Sequence, residues 1–220
     1  MNNASGEPPL YPIFLRLAGA EALVVGGGKV AARKIADLLE SGALVTIVAP
    51  DLSEEAERIV NNENIAIHKR TYESGDIEGK KLVIAAADSE TNQRVADDAR
   101  RIGAPVNVVD QPELCDFHAP AKIRRGLLQV AVSTGGASPA MAKRLRARLE
   151  GQFPPAWSEL MDALAELREA VKSAMPDDQK ERQRMLEGFI DSGAPELLIE
   201  KNDPEAFREE LERWKERLGG

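Results

Sequence analysis

Short apolar runs alternate with helical apolar spacing along the first half of the chain. The runs are made mostly of Val, Ile, Leu and Ala, and they occupy residues 23–25, 44–48, 65–67, 81–87 and 106–110. Between them, apolar residues recur every three or four positions over 29–41 and 89–102, which predicts helices. Residues 53–60 predict a short helix with Ser53 as its N-cap. Because the runs lack strict alternation of apolar and polar residues, we expect strands covered on both faces. The pattern predicts an α/β fold with a Rossmann-like, doubly wound parallel sheet.

The pattern ahead of the first run predicts a further element. Residues 11–17 have the composition of a short edge strand, where Pro12 is tolerated because an edge strand can lack one donor. Residues 1–10 precede it and predict a flexible lead.

The pattern changes after residue 110. Residues 127–133 predict another strand, and Ser138 and Pro139 are typical of the N-cap and first position of a helix that ends at Gly151. The apolar stripe of this helix is formed by Met141, Leu145 and Leu149.

The rest of the chain reads as helices. Residues 156–174 predict one long helix, and two or three shorter helices fill 177–218. We therefore divide the chain into a Rossmann domain over 1–113, a small region over 114–151 and a helical region over 152–220.

A glycine-rich turn joins the first strand to the first helix. In a dinucleotide-binding turn, Gly26 allows the tight bend, Gly28 lets the backbone approach a pyrophosphate, and Ala31 takes the third small position. The anion would lie against the free N–H groups at the N-terminus of the helix. The strand before this motif and the helix after it strengthen an otherwise weak signal.

The topology brings four chain segments to one edge. Ligands of doubly wound sheets bind outside the carboxyl ends of the strands. Those ends carry Gly26–Val30, Pro50-Asp51, Ala87-Asp88 and Asp110. Asp110 fits a general base, and it equally fits the Asx turn that aspartate often forms after a strand. The first acid after the second strand is Asp51, slightly beyond the strand's end, and no arginine lies beside it. This favours NAD over NADP.

Composition and charge narrow the class of protein. The net charge of −8 argues against a nucleic-acid partner, and no apolar run is long enough to span a membrane. The first residues lack the basic and apolar regions of a signal peptide, and the single cysteine, Cys115, excludes an internal disulfide. These features predict a cytoplasmic protein, and no metal site is predicted.

A basic island interrupts this acidic chain. Residues 116–150 contain only two acidic side chains against seven basic ones: Lys122, Arg124, Arg125, Lys143, Arg144, Arg146 and Arg148. Such an island favours an anionic ligand, although a solvated helix face paired with acids elsewhere would look the same.

Several stretches together resemble the precorrin-2 dehydrogenase and sirohydrochlorin ferrochelatase family, the N-terminal part of siroheme synthases. The matching residues are Tyr11-Pro12-Ile13-Phe14, Val25-Gly26-Gly27-Gly28-Lys29-Val30-Ala31, Arg33-Lys34, Val48-Ala49-Pro50, Ala86-Ala87-Asp88, Thr91-Asn92-Gln93, Asn107-Val108-Val109-Asp110, Phe117, Pro120-Ala121 and Val132-Ser133-Thr134-Gly135-Gly136-Ala137-Ser138-Pro139. The resemblance covers roughly residues 11–150, and the tail matches only in being helical.

The resemblance implies NAD-dependent oxidation of precorrin-2 to sirohydrochlorin, and some members also insert ferrous iron. It implies a homodimer that uses a region like 114–151, and it gives Asp110 the role of key acid. The cofactor residues that we predict are Gly26, Gly28, Lys29, Val30, Pro50, Asp51 and Ala87. The predicted contacts to the carboxylate-rich tetrapyrrole are Thr134, Gly135, Arg124 and Arg144, with Arg125, Lys143 and Arg146 as further candidates.

Two other classes of function stay open at this point. A regulatory module that senses NAD without turnover would need neither Asp110 nor the basic island. A dimeric scaffold with a degenerate pocket would also fit. His118 and Cys115 fit structural roles in a loop better than proton transfer or metal binding.

Overall fold

A computed structural model describes residues 8–218, so the predicted lead over 1–10 lies largely outside the described part. The chain divides into two compact units, one ending at Ala119 and the other beginning at Pro120. Among the described residues, no helix has the length and apolar character to cross a membrane. The predicted division at residues 113 and 151 stays a prediction.

The first unit is a five-stranded parallel sheet with helices between the strands. Its strands are β1 (Glu21–Val25), β2 (Leu44–Val48), β3 (Ile65–His68), β4 (Leu82–Ala85) and β5 (Val106–Val108), in the spatial order β3-β2-β1-β4-β5. The helices are α1 (Lys29–Glu40), α2 (Glu54–Glu57) and α3 (Ser89–Ile102). This order places the topological switch between β1 and β4, where open α/β sheets bind ligands.

Both faces of this sheet are covered, as the sequence predicts. Along β1, Leu23 and Val25 pack in one core cluster together with Val95 of α3. Val24 packs in the opposite cluster with Ile35 of α1. Because successive side chains of a strand point to opposite faces, a strand with apolar residues at every position needs a cover on each side.

The predicted edge strand over 11–17 is wrong. No strand includes these residues, and Tyr11, Ile13 and Phe14 are 87%, 67% and 70% exposed. The sheet ends at β3 and β5 among the described residues, so this segment has no neighbouring strand to supply hydrogen bonds.

Other elements are shorter than predicted, among them β4, which covers Leu82–Ala85 within the predicted run 81–87. Strand β5 ends at Val108 because Asp110 adopts a left-handed backbone with φ 61°, which no strand can contain. Helix α2 begins after its Ser53 N-cap, as predicted, but it ends at Glu57.

The second unit combines a hairpin with five helices. Strands β6 (Ala121–Arg125) and β7 (Leu128–Val132) are antiparallel, and sequence analysis missed β6. The helices are α4 (Pro139–Glu150), α5 (Ala156–Ala174), α6 (Gln179–Asp191), α7 (Ala194–Ile199) and α8 (Pro204–Glu216). Leu160, Leu167, Phe189 and Phe207 form the centre of a core among the last four helices.

Helix α4 does not bury the stripe that its sequence predicts. Met141 and Leu145 are 48% and 38% exposed, and Ala142 is its only buried residue. Within its unit α4 packs on the small hairpin, which covers less of the helix than a full sheet would.

A buried hydrogen bond ties the loop before β4 to α3. The Tyr72 hydroxyl donates to the Asp98 carboxylate at 2.9 Å, and both residues are buried. Burial raises the pKa of Asp98, but hydrogen bonds from Ser74 and Tyr72 and the charge of Arg101 lower it overall. This carboxylate therefore stabilises the fold above the unfolded pKa of about 4, and the effect disappears as the pH falls through the folded pKa.

We expect Tyr72→Phe to lower the free energy of unfolding at pH 7 by roughly 1–3 kcal/mol, because it removes a buried hydrogen bond to a charged group. The difference from wild type shrinks as the pH falls below about 4. Urea unfolding followed by circular dichroism between pH 7 and pH 3 measures both. Tyr11→Phe is the matched control, since Tyr11 is exposed. A difference that is absent at pH 7, or constant with pH, contradicts the assignment.

Candidate dinucleotide-binding site

The glycine turn after β1 is packed against two neighbouring loops. Gly26 has φ 120°, and a Cβ there would overlap the main-chain carbonyl oxygen of Ala86. A Cβ on Gly27 would overlap the carbonyl oxygen of Asp51. Gly26 thus serves the tight turn as predicted, whereas the need for Gly27 was missed, because the approach of Asp51 is a tertiary contact.

Gly28 differs from the two glycines before it. It is the N-cap of α1 with an extended backbone, φ −75° and ψ 178°, and no atom lies within 4 Å of where its Cβ would be. The first turn of α1 contains no acidic residue. An open space beside free N–H groups at a helix N-terminus fits an anionic pyrophosphate.

This space is part of a cleft of about 490 Å³, within the usual range for ligand sites. Four of the seven residues predicted to bind the cofactor line it: Gly28, Lys29, Val30 and Ala87. Asp110 lines it as well, together with Ala31, Ala86, Ser89, Asn92, Val109 and Gln111. The residues present therefore fit a dinucleotide whose phosphates lie on main-chain N–H groups.

Pro50 and Asp51 lie outside the lining of this cleft. Both are exposed and follow β2, whose last residue, Val48, pairs with Val25 of β1. The loop that contains them is fixed to the glycine turn, because the Ser53 amide donates to the Gly27 carbonyl at 2.8 Å.

Lys29 is fixed beside the turn by an ion pair. Its ammonium group lies 3.0 Å from a carboxylate oxygen of Glu55 at the start of α2. A backbone hydrogen bond and this lysine lower the pKa of Glu55. Val30 is 39% exposed and faces the cleft, so it is not the core residue that its helical spacing predicts.

Asn92 fixes the loop after β4, a role that sequence analysis missed. Its side-chain oxygen accepts from the Ala87 amide at 2.9 Å, and its amide nitrogen donates to the Ala87 carbonyl at 3.2 Å. Asn92 is only 3% exposed. The neighbouring Asp88 is the N-cap of α3 and accepts from the amide and hydroxyl of Thr91, which lower its pKa.

Asp110 stands at the end of β5 in the left-handed conformation that aspartate tolerates better than most residues. The amide before it, that of Val109, donates to the Ala85 carbonyl at 2.9 Å. Asp110 is exposed, and no hydrogen bond or ion pair within residues 8–218 uses its carboxylate. The Asx-turn alternative is therefore not observed in the described part of the chain.

The residues predicted to contact the tetrapyrrole belong to the second unit. The Thr134 hydroxyl accepts from the Ser138 amide and donates to the Ser138 carbonyl, both at 3.1 Å, so it caps the turn before α4. The Gly135 amide donates to the Ser133 hydroxyl at 3.1 Å. Arg124 in β6 and Arg144 in α4 are both exposed.

Part of the basic island stabilises its own unit. Arg125 donates to the Phe153 carbonyl at 2.8 Å and lies 3.8 Å from Glu150. Arg146 pairs with the same glutamate at 2.7 Å. These two arginines are therefore less suited to bind a ligand than Lys143 and Arg144, which are exposed.

Cys115 has a structural role. Its sulfur accepts from the Val108 amide and donates to the Val108 carbonyl, both at 3.2 Å, and burial raises the pKa of the thiol. His118 is half-buried in the same loop region. Over residues 8–218, no group of three or more His, Cys, Asp and Glu side chains could hold a metal ion.

Substitutions at Gly27 and Gly28 should have different effects. We expect Gly28→Ala to keep the free energy of unfolding within about 1 kcal/mol of wild type, because its backbone angles suit alanine. The same change raises the Kd for NAD about tenfold or more, because the Cβ enters the space for the pyrophosphate. The matched variant, Gly27→Ala, lowers the free energy of unfolding by roughly 1–3 kcal/mol through overpacking. Calorimetric titration and urea unfolding check both, and wild-type affinity in Gly28→Ala contradicts the site.

Comparisons with known proteins agree with this geometry. Residues 13–121 match the family model described as putative NAD(P)-binding, and residues 125–152 match the model described as sirohaem biosynthesis protein central. A solved structure described as SirC, precorrin-2 dehydrogenase, shares the fold, with a TM-score of 0.71 at 24% identity over 93% of this chain and 100% of that one. The predicted Rossmann-like fold and dinucleotide-binding class are confirmed.

Two curated relatives are siroheme synthases. That of Methylococcus capsulatus is 43% identical over 202 residues, which are 91% of this chain and 42% of the relative. That of Thioalkalivibrio sulfidiphilus is 41% identical over 204 residues, which are 92% of this chain and 41% of the relative. The chain thus spans about two fifths of the length of these relatives. These matches confirm the resemblance noted in the sequence: the chain is similar to the NAD(P)-binding and central regions of siroheme synthases.

Proposed function

We propose that this protein oxidises precorrin-2 to sirohydrochlorin with NAD as the hydride acceptor. The observation that carries the proposal is the cleft at the switch between β1 and β4. It is lined on one side by the open N-terminus of α1 and on another by Asp110, whose carboxylate has no partner in the described part of the chain. The names of the relatives and of the structural neighbour support the same activity.

The reaction needs a hydride acceptor and a base. Precorrin-2 loses a hydride and a proton, so the products are sirohydrochlorin, NADH and H⁺. The bound dinucleotide supplies the hydride acceptor, held by the N–H groups at Gly28–Val30. Asp110 accepts the proton, because it is the unengaged carboxylate in the cleft and stands at the carboxyl end of β5.

The surroundings of β2 favour NAD over NADP. Asp51 follows this strand, near the place where an acid binds the ribose 2′-hydroxyl. Its negative charge would repel a 2′-phosphate.

The second unit suits a polyanionic substrate. We propose that Arg124 and Arg144 pair with carboxylates of the tetrapyrrole, and that the turn at Thr134 and Gly135 contributes to the same site. Both arginines are exposed, and Gly135 and Gly136 adopt left-handed φ values of 60° and 86° that expose main chain at this turn.

We further propose a cytoplasmic homodimer. The exposed apolar side chains of α4, Met141 and Leu145, support association of two copies through the region 114–151. The presence of a single cysteine fits a reducing compartment.

An anaerobic assay with precorrin-2 and NAD tests the activity. We expect NADH and sirohydrochlorin to form in equal amounts with the wild type. Asp110→Asn should lower kcat by roughly 100-fold or more, because the general base is lost. Its Kd for NAD should stay unchanged. Asparagine is the matched variant, because it also tolerates the left-handed backbone.

The outcomes separate the classes of function. NAD binding without turnover by the wild type would favour a module that senses NAD and would refute the enzyme. Normal turnover by Asp110→Asn would refute the role of Asp110 alone. Addition of ferrous iron to the product of the same reaction tests the ferrochelatase activity that the resemblance implies for some members.

A further inference from the structure

The residue after Asp110 connects two walls of the cleft. The Gln111 side-chain nitrogen donates to the Ser89 hydroxyl at 2.9 Å. Ser89 is the first residue of α3, a rigid element whose N-cap, Asp88, follows the cleft residue Ala87. Both Gln111 and Ser89 line the cleft. This bond therefore fixes the turn over residues 109–111, called the Asp110 turn below, to the N-terminus of α3.

The Asp110 turn needs such a restraint. A left-handed backbone at a residue other than glycine is strained and persists only where the surrounding structure enforces it. Main-chain bonds hold both sides of the turn: Val109 donates to Ala85, and Leu114 donates to the Gln111 carbonyl at 3.1 Å. The Gln111 side chain supplies the one side-chain bond from the turn to α3 within the described residues.

Stability alone does not explain a glutamine at this position. Its side-chain oxygen is buried and has no hydrogen-bond partner among residues 8–218. A buried unpaired acceptor destabilises the folded state, and native proteins retain few of them. A methionine of similar length would fill the same space without an unpaired polar atom.

From these observations we propose that Gln111 is a positioning residue, which holds the Asp110 carboxylate in place for proton transfer by anchoring its turn to Ser89. The inference rests on the proposed role of Asp110 as the base. It assigns Gln111 no contact with the dinucleotide or the tetrapyrrole.

The test is a double-mutant cycle. Gln111→Met should lower kcat about tenfold in the wild-type background, with the Kd for NAD unchanged. In the Asp110→Asn background the same change should have no effect on kcat, because Gln111 acts through Asp110. Ser89→Ala should reproduce the loss, and combining it with Gln111→Met should add nothing further.

Two measurements that do not depend on turnover complete the test. The free energy of unfolding of Gln111→Met should equal or exceed that of the wild type, and the Val109 and Leu114 amides, which donate the main-chain bonds on either side of the turn, should exchange hydrogen about tenfold faster. Gln93→Met is the matched control: Gln93 lies on the exposed side of α3 and donates to Asp97 at 3.0 Å. It should change neither kcat nor exchange at the Val109 and Leu114 amides.

The outcomes distinguish this inference from the proposed function. If Asp110→Asn keeps full activity, the proposed role of the base fails. If Asp110→Asn loses activity while Gln111→Met keeps wild-type kcat and wild-type exchange, the positioning role alone is overturned. A loss of kcat that is equal in both backgrounds also overturns it.

Discussion

Main-chain crowding at the carboxyl edge of the sheet is the constraint on which the rest of the site depends. The carbonyl oxygens of Ala86 and Asp51 occupy the places where Gly26 and Gly27 would carry side chains. The loops after β1, β2 and β4 can meet only because these two residues lack a Cβ. Their contact leaves Gly28 facing open space at the start of α1, and so the same crowding creates a free helix N-terminus.

Most polar side chains around this edge hold the loops in place. Asn92 fixes Ala87, Asp88 caps α3, and Cys115 satisfies the main chain of Val108. Asp110 is different, because its backbone is strained and no bond in the described part of the chain engages its carboxylate. Loops held in place by hydrogen bonds, with one carboxylate among them that has no partner in the described residues, are the arrangement expected for a group that accepts a proton.

The sequence predicts those features that depend on neighbours along the chain. Helix α3 has the predicted bounds because Asp88 caps its start and Gly103 ends it in a left-handed conformation. The glycine turn and the position of Asp110 follow from strand order, since parallel strands end at one edge. The role of Gly27, by contrast, depends on Asp51, which is distant in sequence and contacts it only in the fold.

The errors have the same origin. Residues 11–17 have the composition of a strand but lack a neighbour in the sheet, and the stripe on α4 is apolar but only thinly covered by the hairpin. Strand β6 was missed because Lys122, Arg124 and Arg125 obscure its pattern, although Ile123 is buried. The hydrogen bonds between Asn92 and Ala87 were missed, because the spacing of residues along a helix does not show which polar side chain bonds to a neighbouring loop.

The most direct test of the dinucleotide site is a titration of isotope-labelled protein with NAD, followed by amide chemical shifts in NMR spectra. We expect the largest shifts at the amides of Gly28, Lys29 and Val30, where the pyrophosphate meets the N-terminus of α1. Binding of NAD that leaves these three amides unchanged would contradict it.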